Sequence, residues 1–286
     1  MVRIIGILIG LFFTAAVLWA LATGAYTVAS QGYLTEKTAE TEFHKHPREL
    51  KLASDGWGGH WGEEDLAQLQ RGYQVYKEVC AACHSLRHVA LRDLAQLGYS
   101  EAEVKAEAAS WTVPGVDPAT GEATTRPGTP TDYFPSPYPN DIAARAANNN
   151  AIPPDLSLIT KARHEGPAYA YSLLTGYAEA PAELKQEFPG FETPAGLYFN
   201  PYFANLNIAM PPPLHSEGQV TYADGTKASV DQMAHDVAAF LVWTAEPSLG
   251  KRNQTGWPVL GFLLFATILA YLAKQQVWAN AKRRKD

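Results

Sequence analysis

Both cysteines of this 286-residue chain lie in one pentapeptide, Cys-Ala-Ala-Cys-His, at residues 80–84. Because there is no other cysteine, a disulfide framework and a four-thiolate zinc or iron–sulfur site are excluded. A redox-active dithiol would be expected within a thioredoxin-like βαβ pattern, which this sequence does not have. Two thiols at this spacing, followed directly by histidine, are the attachment signature of a c-type haem. We therefore predict one covalent haem c bonded through Cys80 and Cys83, with His84 as an iron ligand.

The second axial ligand decides what such a haem can do. Methionine would close the iron and raise its potential for electron transfer, whereas an open site would bind small molecules or perform catalysis. The chain has three methionines. Met1 begins an apolar segment, and Met233 lies on the apolar face of a predicted helix, where packing explains it better. Met210 precedes three prolines that stiffen the backbone and remove amide donors, so it is the favoured ligand.

Histidines are the competing candidates for that position. His88 is too close to His84 in sequence to reach the opposite face of the haem, being one helical turn beyond it. His164, His215 and His235 stay open as alternatives, although each is more simply explained as a polar surface residue. His44, His46 and His60 precede the first helix of the domain and are predicted to be surface groups.

Two apolar segments lie at the ends of the chain. Residues 253–273 carry no charge, and about 20 helical residues span roughly 30 Å, the thickness of a bilayer core. The basic run at residues 282–285 indicates a cytoplasmic C-terminus, with Lys251 and Arg252 as a weak counter-signal. Residues 4–22, after Arg3, fit either a cleaved signal peptide or a retained anchor. Both readings place the following domain in the periplasm of a bacterium, at the inner membrane.

The segment between these ends is predicted to be an all-α domain with long loops. Leu66, Leu69, Tyr73, Tyr76 and Cys80 recur at helical spacing after the acidic residues 63–65, which suit a helix N-terminus. A second helix should begin at Ser229, in a capping box with Gln232, and end before Pro247. A weaker helix covers about residues 100–110. The predicted divisions are residues 1–31, residues 32–250 and residues 251–286.

The charge of the chain is unevenly distributed. Residues 32–250 hold 15 Lys and Arg against 28 Asp and Glu, a formal net charge of −13, although the whole chain carries only −6. A field of this sign repels nucleic acid and speeds the encounter with basic proteins at low salt. Nucleic acid is therefore excluded as a partner. From the charge alone, attraction of a basic protein and simple solubility both stay open as explanations of the acidic domain.

Several further runs, in order, resemble the cytochrome c1 family. They are Arg-Gly-Tyr-Gln-Val-Tyr-Lys-Glu-Val-Cys-Ala-Ala-Cys-His-Ser (71–85), Asp-Tyr-Phe-Pro-Ser-Pro-Tyr-Pro-Asn (132–140), Ala-Ala-Arg-Ala-Ala-Asn-Asn (143–149), Pro-Pro-Asp-Leu-Ser (153–157), Leu-Leu-Thr-Gly-Tyr (173–177), Gly-Leu-Tyr-Phe-Asn-Pro-Tyr-Phe (196–203) and the Ala-Met-Pro-Pro-Pro segment (209–213). The resemblance covers about residues 60–285. It implies a class-I-like cytochrome c fold, expanded by long loops and held by one or two membrane helices.

The resemblance also implies a function. Members of this family are the haem subunit of the quinol–cytochrome c oxidoreductase, a translocase and dimeric complex in which they do no substrate chemistry alone. They pass one electron from the Rieske iron–sulfur protein to a cytochrome c, beside cytochrome b in the lipid membrane. By motif, His84 and Met210 would be axial ligands, and Cys80 and Cys83 the thioether positions. The remaining haem-pocket positions would be Asn148, Pro153 and Pro154, with Arg163 and Tyr169 at the propionates.

Two departures and two alternatives accompany this resemblance. Some bacterial members hold the loop before the methionine with a disulfide, so here residues 194–213 are expected to rely on packing alone. Bacterial members usually begin with a cleaved signal, so a retained N-terminal helix would be a variation. The alternatives are a haem subunit of another membrane oxidase or dehydrogenase, and a haem sensor or peroxidase with an open iron site.

Overall fold

The computed structural model describes residues 2–30, 37–52 and 64–283. Glu63 and His60 were predicted to lie at or before the start of the first domain helix, and both are outside the described residues. The elements in chain order are α1 (Val2–Ser30), α2 (Ala39–Phe43), α3 (Leu66–Glu78), 3-10 helices at Cys80–Ala82 and Leu91–Leu97, α4 (Glu101–Ala109), β1 (Thr112–Val116), β2 (Ala123–Pro127), α5 (Asp141–Ala147), α6 (Ile159–Ala162), α7 (Gly166–Thr175), α8 (Ala182–Glu187), β3 (Tyr198–Phe199), β4 (Asn207–Ile208), α9 (Val230–Ala245) and α10 (Leu249–Arg283). The predicted all-α class is confirmed.

The chain forms two compact units. One comprises residues 1–44 and 181–192, and contains α1, α2 and α8. The other comprises residues 45–180 and 193–286, and contains every other element. The larger unit holds all nine residues that the sequence singles out as a haem site, so it is the unit that matters for function.

Helix α3 begins where the acidic cap ends. The Asp65 side chain accepts a hydrogen bond from the Gln68 amide, which satisfies one of the free donors at the helix start. Leu69, Tyr73 and Tyr76 are buried as the helical spacing predicts, whereas Leu66 is exposed. The buried side chains join a core cluster formed with α9, in which the Tyr76 and Phe240 rings lie 5.7 Å apart. Helix α3 is thus anchored along one face up to the residue before the cysteine motif.

Helices α3 and α9 cross at Gly72. A Cβ atom at this position would lie 2.1 Å from the Asp236 carbonyl oxygen and 2.7 Å from Phe240 Cβ. Only glycine permits this approach, because the nearest atom belongs to the backbone and cannot swing away. Beside the crossing, Arg71 Nε donates to the Asp236 carboxylate at 2.9 Å, and Asp236 is 0% exposed. The crossing therefore combines close backbone contact with a buried ion pair.

The ends of the other predicted helices differ in detail from the sequence analysis. Ser229 caps α9 by accepting from the Gln232 amide, as predicted. The Gln232 side chain, however, donates to Asp236 one turn further on, so the reciprocal half of the predicted capping box is wrong. Helix α4 has the full box instead, between Ser100 and Glu103. In each case the N-cap residue sets where the helix starts.

The connections are more ordered than the predicted loops and turns. Helices α5, α6 and α7 lie between α4 and β3, and α7 packs against α9. Among the described residues, two antiparallel two-stranded sheets occur, β1 with β2 and β3 with β4. A large sheet is absent from this part of the chain. The shorter sheet immediately precedes Met210.

Two helices are long and apolar enough to cross a membrane. They cover Arg3–Ser30 and Leu249–Ala279, and neither has buried residues within its apolar window. Length and apolar composition are what a bilayer core of about 30 Å requires. These two segments coincide with the apolar ends found in the sequence.

Candidate haem site

The cysteine motif follows directly from α3. After the helix ends at Glu78, residues Cys80–Ala82 form one 3-10 turn, and the His84 amide donates to the Cys80 carbonyl at 2.9 Å. Both cysteines are unpaired and half-buried as whole residues, and the thiol of Cys80 is buried. One turn of chain therefore presents two thiols and the imidazole close together at the end of an anchored helix.

The His84 imidazole is held in one tautomer. Its Nδ1 lies 2.7 Å from the Pro154 carbonyl oxygen, and because a carbonyl only accepts, Nδ1 must carry the proton. The Nε2 atom then has a free lone pair, which is the form in which imidazole binds a metal. Burial lowers the pKa of His84, partly offset by the Pro154 carbonyl and the Asp155 charge, which favours the neutral ring. This arrangement fits an iron ligand and places Pro154 at the site by its backbone.

Asp155 ties the same proline segment to the chain after His84. Its carboxylate accepts from Ser85 Oγ at 2.7 Å and from the Arg87 amide at 2.9 Å. Burial raises the pKa of Asp155, but these donors and Ser157 outweigh it, so its pKa lies below the ordinary value. Sequence reasoning missed Asp155, although the Asp-x-Ser turn, with the Ser157 amide 3.0 Å from Oδ1, was a usable signal.

The thiols do not have the character of a redox pair. Burial, with a smaller contribution from Cys83, raises the pKa of the Cys80 thiol to about 12. Dithiol oxidoreductases need the opposite, a cysteine with a lowered pKa that reacts as thiolate. The Cys80 thiol therefore lacks the lowered pKa that a redox dithiol needs. No cluster of histidine, cysteine and acidic residues suited to a metal ion occurs among residues 2–30, 37–52 and 64–283.

Met210 lies two residues beyond β4 and is half-buried. Its carbonyl oxygen accepts a hydrogen bond from the Tyr177 hydroxyl at 3.0 Å. The Pro211, Pro212 and Pro213 backbone that follows has no amide hydrogen to donate. Tyr177 is a second residue that sequence reasoning missed, apart from its place in the Leu-Leu-Thr-Gly-Tyr run.

Arg163 and Tyr169 lie near one another at the start of α7. Arg163 is exposed, and its guanidinium donates to the Ala162 carbonyl at 3.2 Å. Burial raises the pKa of Tyr169, and the charge and hydrogen bond of Arg163 partly offset this. An exposed guanidinium beside a phenol is suited to binding a carboxylate such as a propionate.

The two other predicted pocket residues are Asn148 and Pro153. Asn148 ends α5, and its side-chain amide donates to the Ala144 carbonyl at 2.7 Å. Pro153 is half-buried and precedes the proline whose carbonyl meets His84. The structure thus gives Asn148 a capping role of its own and places Pro153 beside the histidine segment.

The competing ligands have other surroundings. His235 Nδ1 lies 2.6 Å from Gln68 Nε2, and its Nε2 lies 3.1 Å from the Lys51 carbonyl, so both ring nitrogens are occupied. Met233 is fully buried in α9. The remaining described histidines other than His84 are exposed: His44, His46, His88, His164 and His215. The chain after His84 is not helical, so His88 does not lie one helical turn away as assumed, but it is exposed all the same.

The chain segments next to His84 and next to Met210 share one hydrophobic cluster. Leu156, which follows the Pro154–Asp155 segment, and Leu214, which follows the three prolines, belong to this cluster, and Cys80 packs against it. A thiol pair, a neutral imidazole with a free Nε2 and an adjoining apolar core define a protein with covalently attached haem.

Comparison with known proteins identifies the kind of haem protein. A model of the Cytochrome C1 family matches residues 56–281. The chain is 47% identical over 235 residues to cytochrome c1 of Rhodospirillum rubrum, which covers 79% of this chain and 86% of that protein. It is 42% identical over 264 residues to the mitochondrial heme protein cytochrome c1-2 of Solanum tuberosum, covering 92% and 97% of the two chains. It is also 46% identical over 240 residues to cytochrome b/c1 of Bradyrhizobium diazoefficiens, covering 79% and 35%.

The chain belongs to the cytochrome c1 family. Proteins of this family carry covalently bound haem c, so the predicted cofactor is confirmed. With two helices of membrane length and bacterial relatives of this kind, the chain is a membrane protein.

Proposed function

We propose that the chain is the haem-bearing electron-transfer subunit of a quinol–cytochrome c oxidoreductase. The observation that carries the proposal is the His84 ring, whose Nδ1 donates to Pro154 at 2.7 Å and leaves Nε2 free to bind iron. Cys80 and Cys83 would hold the haem through thioether bonds, and His84 and Met210 would ligate its iron. Haem ligated in this way carries one electron at a time at a raised potential.

The protein residues around this group have separate tasks. The hydrogen bond from His84 to Pro154 raises the basicity of the imidazole and fixes its plane. Arg163 and Tyr169 would bind the propionates and offset their charge. Asn148 and Pro153 line the pocket and limit the access of water. None of these residues transfers a proton or forms a bond to a substrate, because the reaction is outer-sphere electron transfer.

The domain arrangement belongs to the same proposal. Residues 1–31 are an anchor or a signal segment, residues 32–250 the periplasmic haem domain, and residues 251–286 the membrane anchor with a cytoplasmic basic tail. The basic residues at 282–285 support this orientation, since positive charge is retained in the cytoplasm. The membrane is the inner membrane of a bacterium.

The partners follow from family membership and charge. Cytochrome b is favoured because the Bradyrhizobium relative is named cytochrome b/c1. The Rieske protein is the electron donor and a cytochrome c is the acceptor. Together with cytochrome b, the subunits form a dimeric complex in the lipid membrane that acts as a translocase. The charge of −13 on residues 32–250 favours a basic acceptor. Affinity purification from membranes should recover cytochrome b and a Rieske protein; recovery of an oxidase instead would overturn the assignment.

Replacement of the sulfur ligand tests the haem chemistry. Met210→Leu should lower the midpoint potential and let carbon monoxide bind the reduced haem, because the thioether no longer closes the iron. Met233→Leu is the matched control, since Met233 is a buried core residue of α9 and its loss should leave both measurements unchanged. An unchanged potential in Met210→Leu, or rapid carbon monoxide binding by the unaltered protein, would indicate another ligand or an open site.

A further inference from the structure

The segment that carries Met210 is held without a disulfide. The chain's two cysteines are both in the haem motif, so none is left for the loop. The sequence led us to expect that packing alone holds this segment, but hydrogen bonds also hold it. Hydrogen bonds connect it to α7 and to the chain that follows α7.

Two of these bonds fix the β3–β4 hairpin. The fully buried Asn200 donates through Nδ2 to the Leu173 carbonyl at 2.8 Å. The Ala178 amide donates to the Phe199 carbonyl at 3.4 Å. These contacts hold the hairpin before Met210, but neither one reaches Met210 itself.

A third bond fixes the chain beyond the prolines. Gln219 Nε2 donates to the Pro213 carbonyl at 2.8 Å. Between Ile208, the last residue of β4, and Pro213, the backbone offers few donors because residues 211–213 are prolines. Anchoring here must therefore use carbonyl oxygens, and the Tyr177 hydroxyl uses that of Met210 at 3.0 Å.

The turn at the end of α7 determines the position of Tyr177. It follows Gly176, which ends α7, and a Cβ atom on Gly176 would lie 2.4 Å from Tyr202 Cδ2 and 2.6 Å from the Ser172 carbonyl oxygen. The glycine therefore permits a close turn that directs the chain from α7 toward the hairpin. Burial, with the neighbouring Tyr169 and Tyr198, raises the pKa of Tyr177, so its hydroxyl remains a donor across the physiological range.

We propose that Tyr177 is a positioning residue for the sulfur ligand: its hydroxyl holds the Met210 carbonyl and so fixes where the thioether sits relative to iron. This rests on the proposed role of Met210 as axial ligand. Without the hydrogen bond, the residues between β4 and Pro213 lose the contact at Met210 while the hairpin stays in place. The thioether then leaves iron more easily, with no loss of the fold.

The test is Tyr177→Phe in the haem-loaded protein within its membrane complex. Imidazole added to the oxidised protein competes with the thioether for iron, so its apparent affinity reports how firmly Met210 is held. Loss of one neutral hydrogen bond, worth about 1 kcal/mol, should tighten apparent imidazole binding about fivefold. The thioether-to-iron absorption band should weaken at a lower imidazole concentration by the same factor.

Tyr198→Phe is the matched control. Tyr198 lies near Tyr177 in β3, and among the described residues its hydroxyl makes no hydrogen bond, so the variant should bind imidazole like the unaltered protein. Equal imidazole affinity in both tyrosine variants would overturn the inference. So would a lower unfolding midpoint in Tyr177→Phe with unchanged imidazole binding, because that is the result of a merely structural role.

Met210→Leu separates this inference from the proposed function. If Met210→Leu binds imidazole far more tightly and Tyr177→Phe does not, Met210 is the ligand and the role of Tyr177 is refuted. If Met210→Leu leaves imidazole binding unchanged, the ligand assignment fails and the role of Tyr177 fails with it.

Discussion

A methyl group added at Gly72 should force α3, the helix that leads into the haem motif, away from α9. The new Cβ would lie 2.1 Å from the Asp236 carbonyl oxygen, more than an ångström short of the 3.4 Å at which ordinary contact begins. Phe240 Cβ, at 2.7 Å, blocks a sideways shift. Because the atoms on α9 near this point belong to the backbone or lie close to it, α3 must move away by about 1 Å. Cys80 lies at the end of α3, so this movement reaches the haem attachment.

The size of the effect comes from two opposing contributions. Overpacking a well-filled core costs about 1–3 kcal/mol, and strain on the ion pair between Arg71 and Asp236 places this site toward the upper end. Replacing glycine by alanine inside a helix returns about 1 kcal/mol of helix propensity. We expect Gly72→Ala to lose about 2 kcal/mol, which lowers the melting temperature of a domain of this size by roughly 4–8 °C.

The assay is unfolding of the detergent-solubilised holoprotein in guanidinium, followed by the visible circular dichroism of the haem. Ala67→Gly, at an exposed position of α3, is the control that measures propensity alone, and it should cost about 1 kcal/mol. If Gly72→Ala is as stable as the unaltered protein, the helices do not need the close approach and the reasoning is wrong.

Three further outcomes follow from charged groups. Asp236→Ala removes the buried carboxylate that pairs with Arg71 and leaves that guanidinium only the more exposed Asp224, at 2.8 Å. It should lower the free energy of unfolding by about 3 kcal/mol, the lower end for breaking a buried pair, measured in the same assay. Burial raises the pKa of Glu107, but hydrogen bonds from Lys77 and Tyr73 outweigh it, so the pKa lies below its ordinary value. That stabilisation is complete above about pH 4.3 and is lost as the pH falls through the folded pKa, so Glu107→Gln should flatten the acid side of an unfolding-midpoint profile. Oxidation by a soluble basic cytochrome c should slow as salt is raised, and a salt-independent rate would exclude steering by the acidic domain.

Local sequence signals predicted the helices well. Asp65 and Ser229 marked the starts of α3 and α9 because a side-chain cap acts within three residues and needs no distant partner. Helix α7 was missed, since its start depends on Glu165 in a left-handed conformation (φ 60°), which no local preference of glutamate indicates. The hairpin before Met210 was missed because each strand has only two residues, too few to show alternation.

The pairing of distant segments was beyond the reach of sequence patterns alone. His84 and Pro154 are 70 residues apart, and their contact runs through a backbone carbonyl that any residue type could have supplied. The resemblance to a family predicted that Pro154 lies in the haem pocket, but it did not explain why a residue at this position is needed. The structure explains it: the Pro154 carbonyl selects the tautomer of the His84 imidazole.

The two sides of the proposed haem site are held by different means, and this predicts different responses to mutation. On the histidine side, Asp155 accepts from both Ser85 and the Arg87 amide, and His84 is one turn from a helix anchored in the core. Contacts there are shared with the fold, so substitutions should affect stability and haem environment together. On the methionine side, the Met210 carbonyl accepts a hydrogen bond from Tyr177, and this bond is separate from those that fix the hairpin. Substitutions at Tyr177 should therefore change the haem ligation while the unfolding midpoint stays nearly constant.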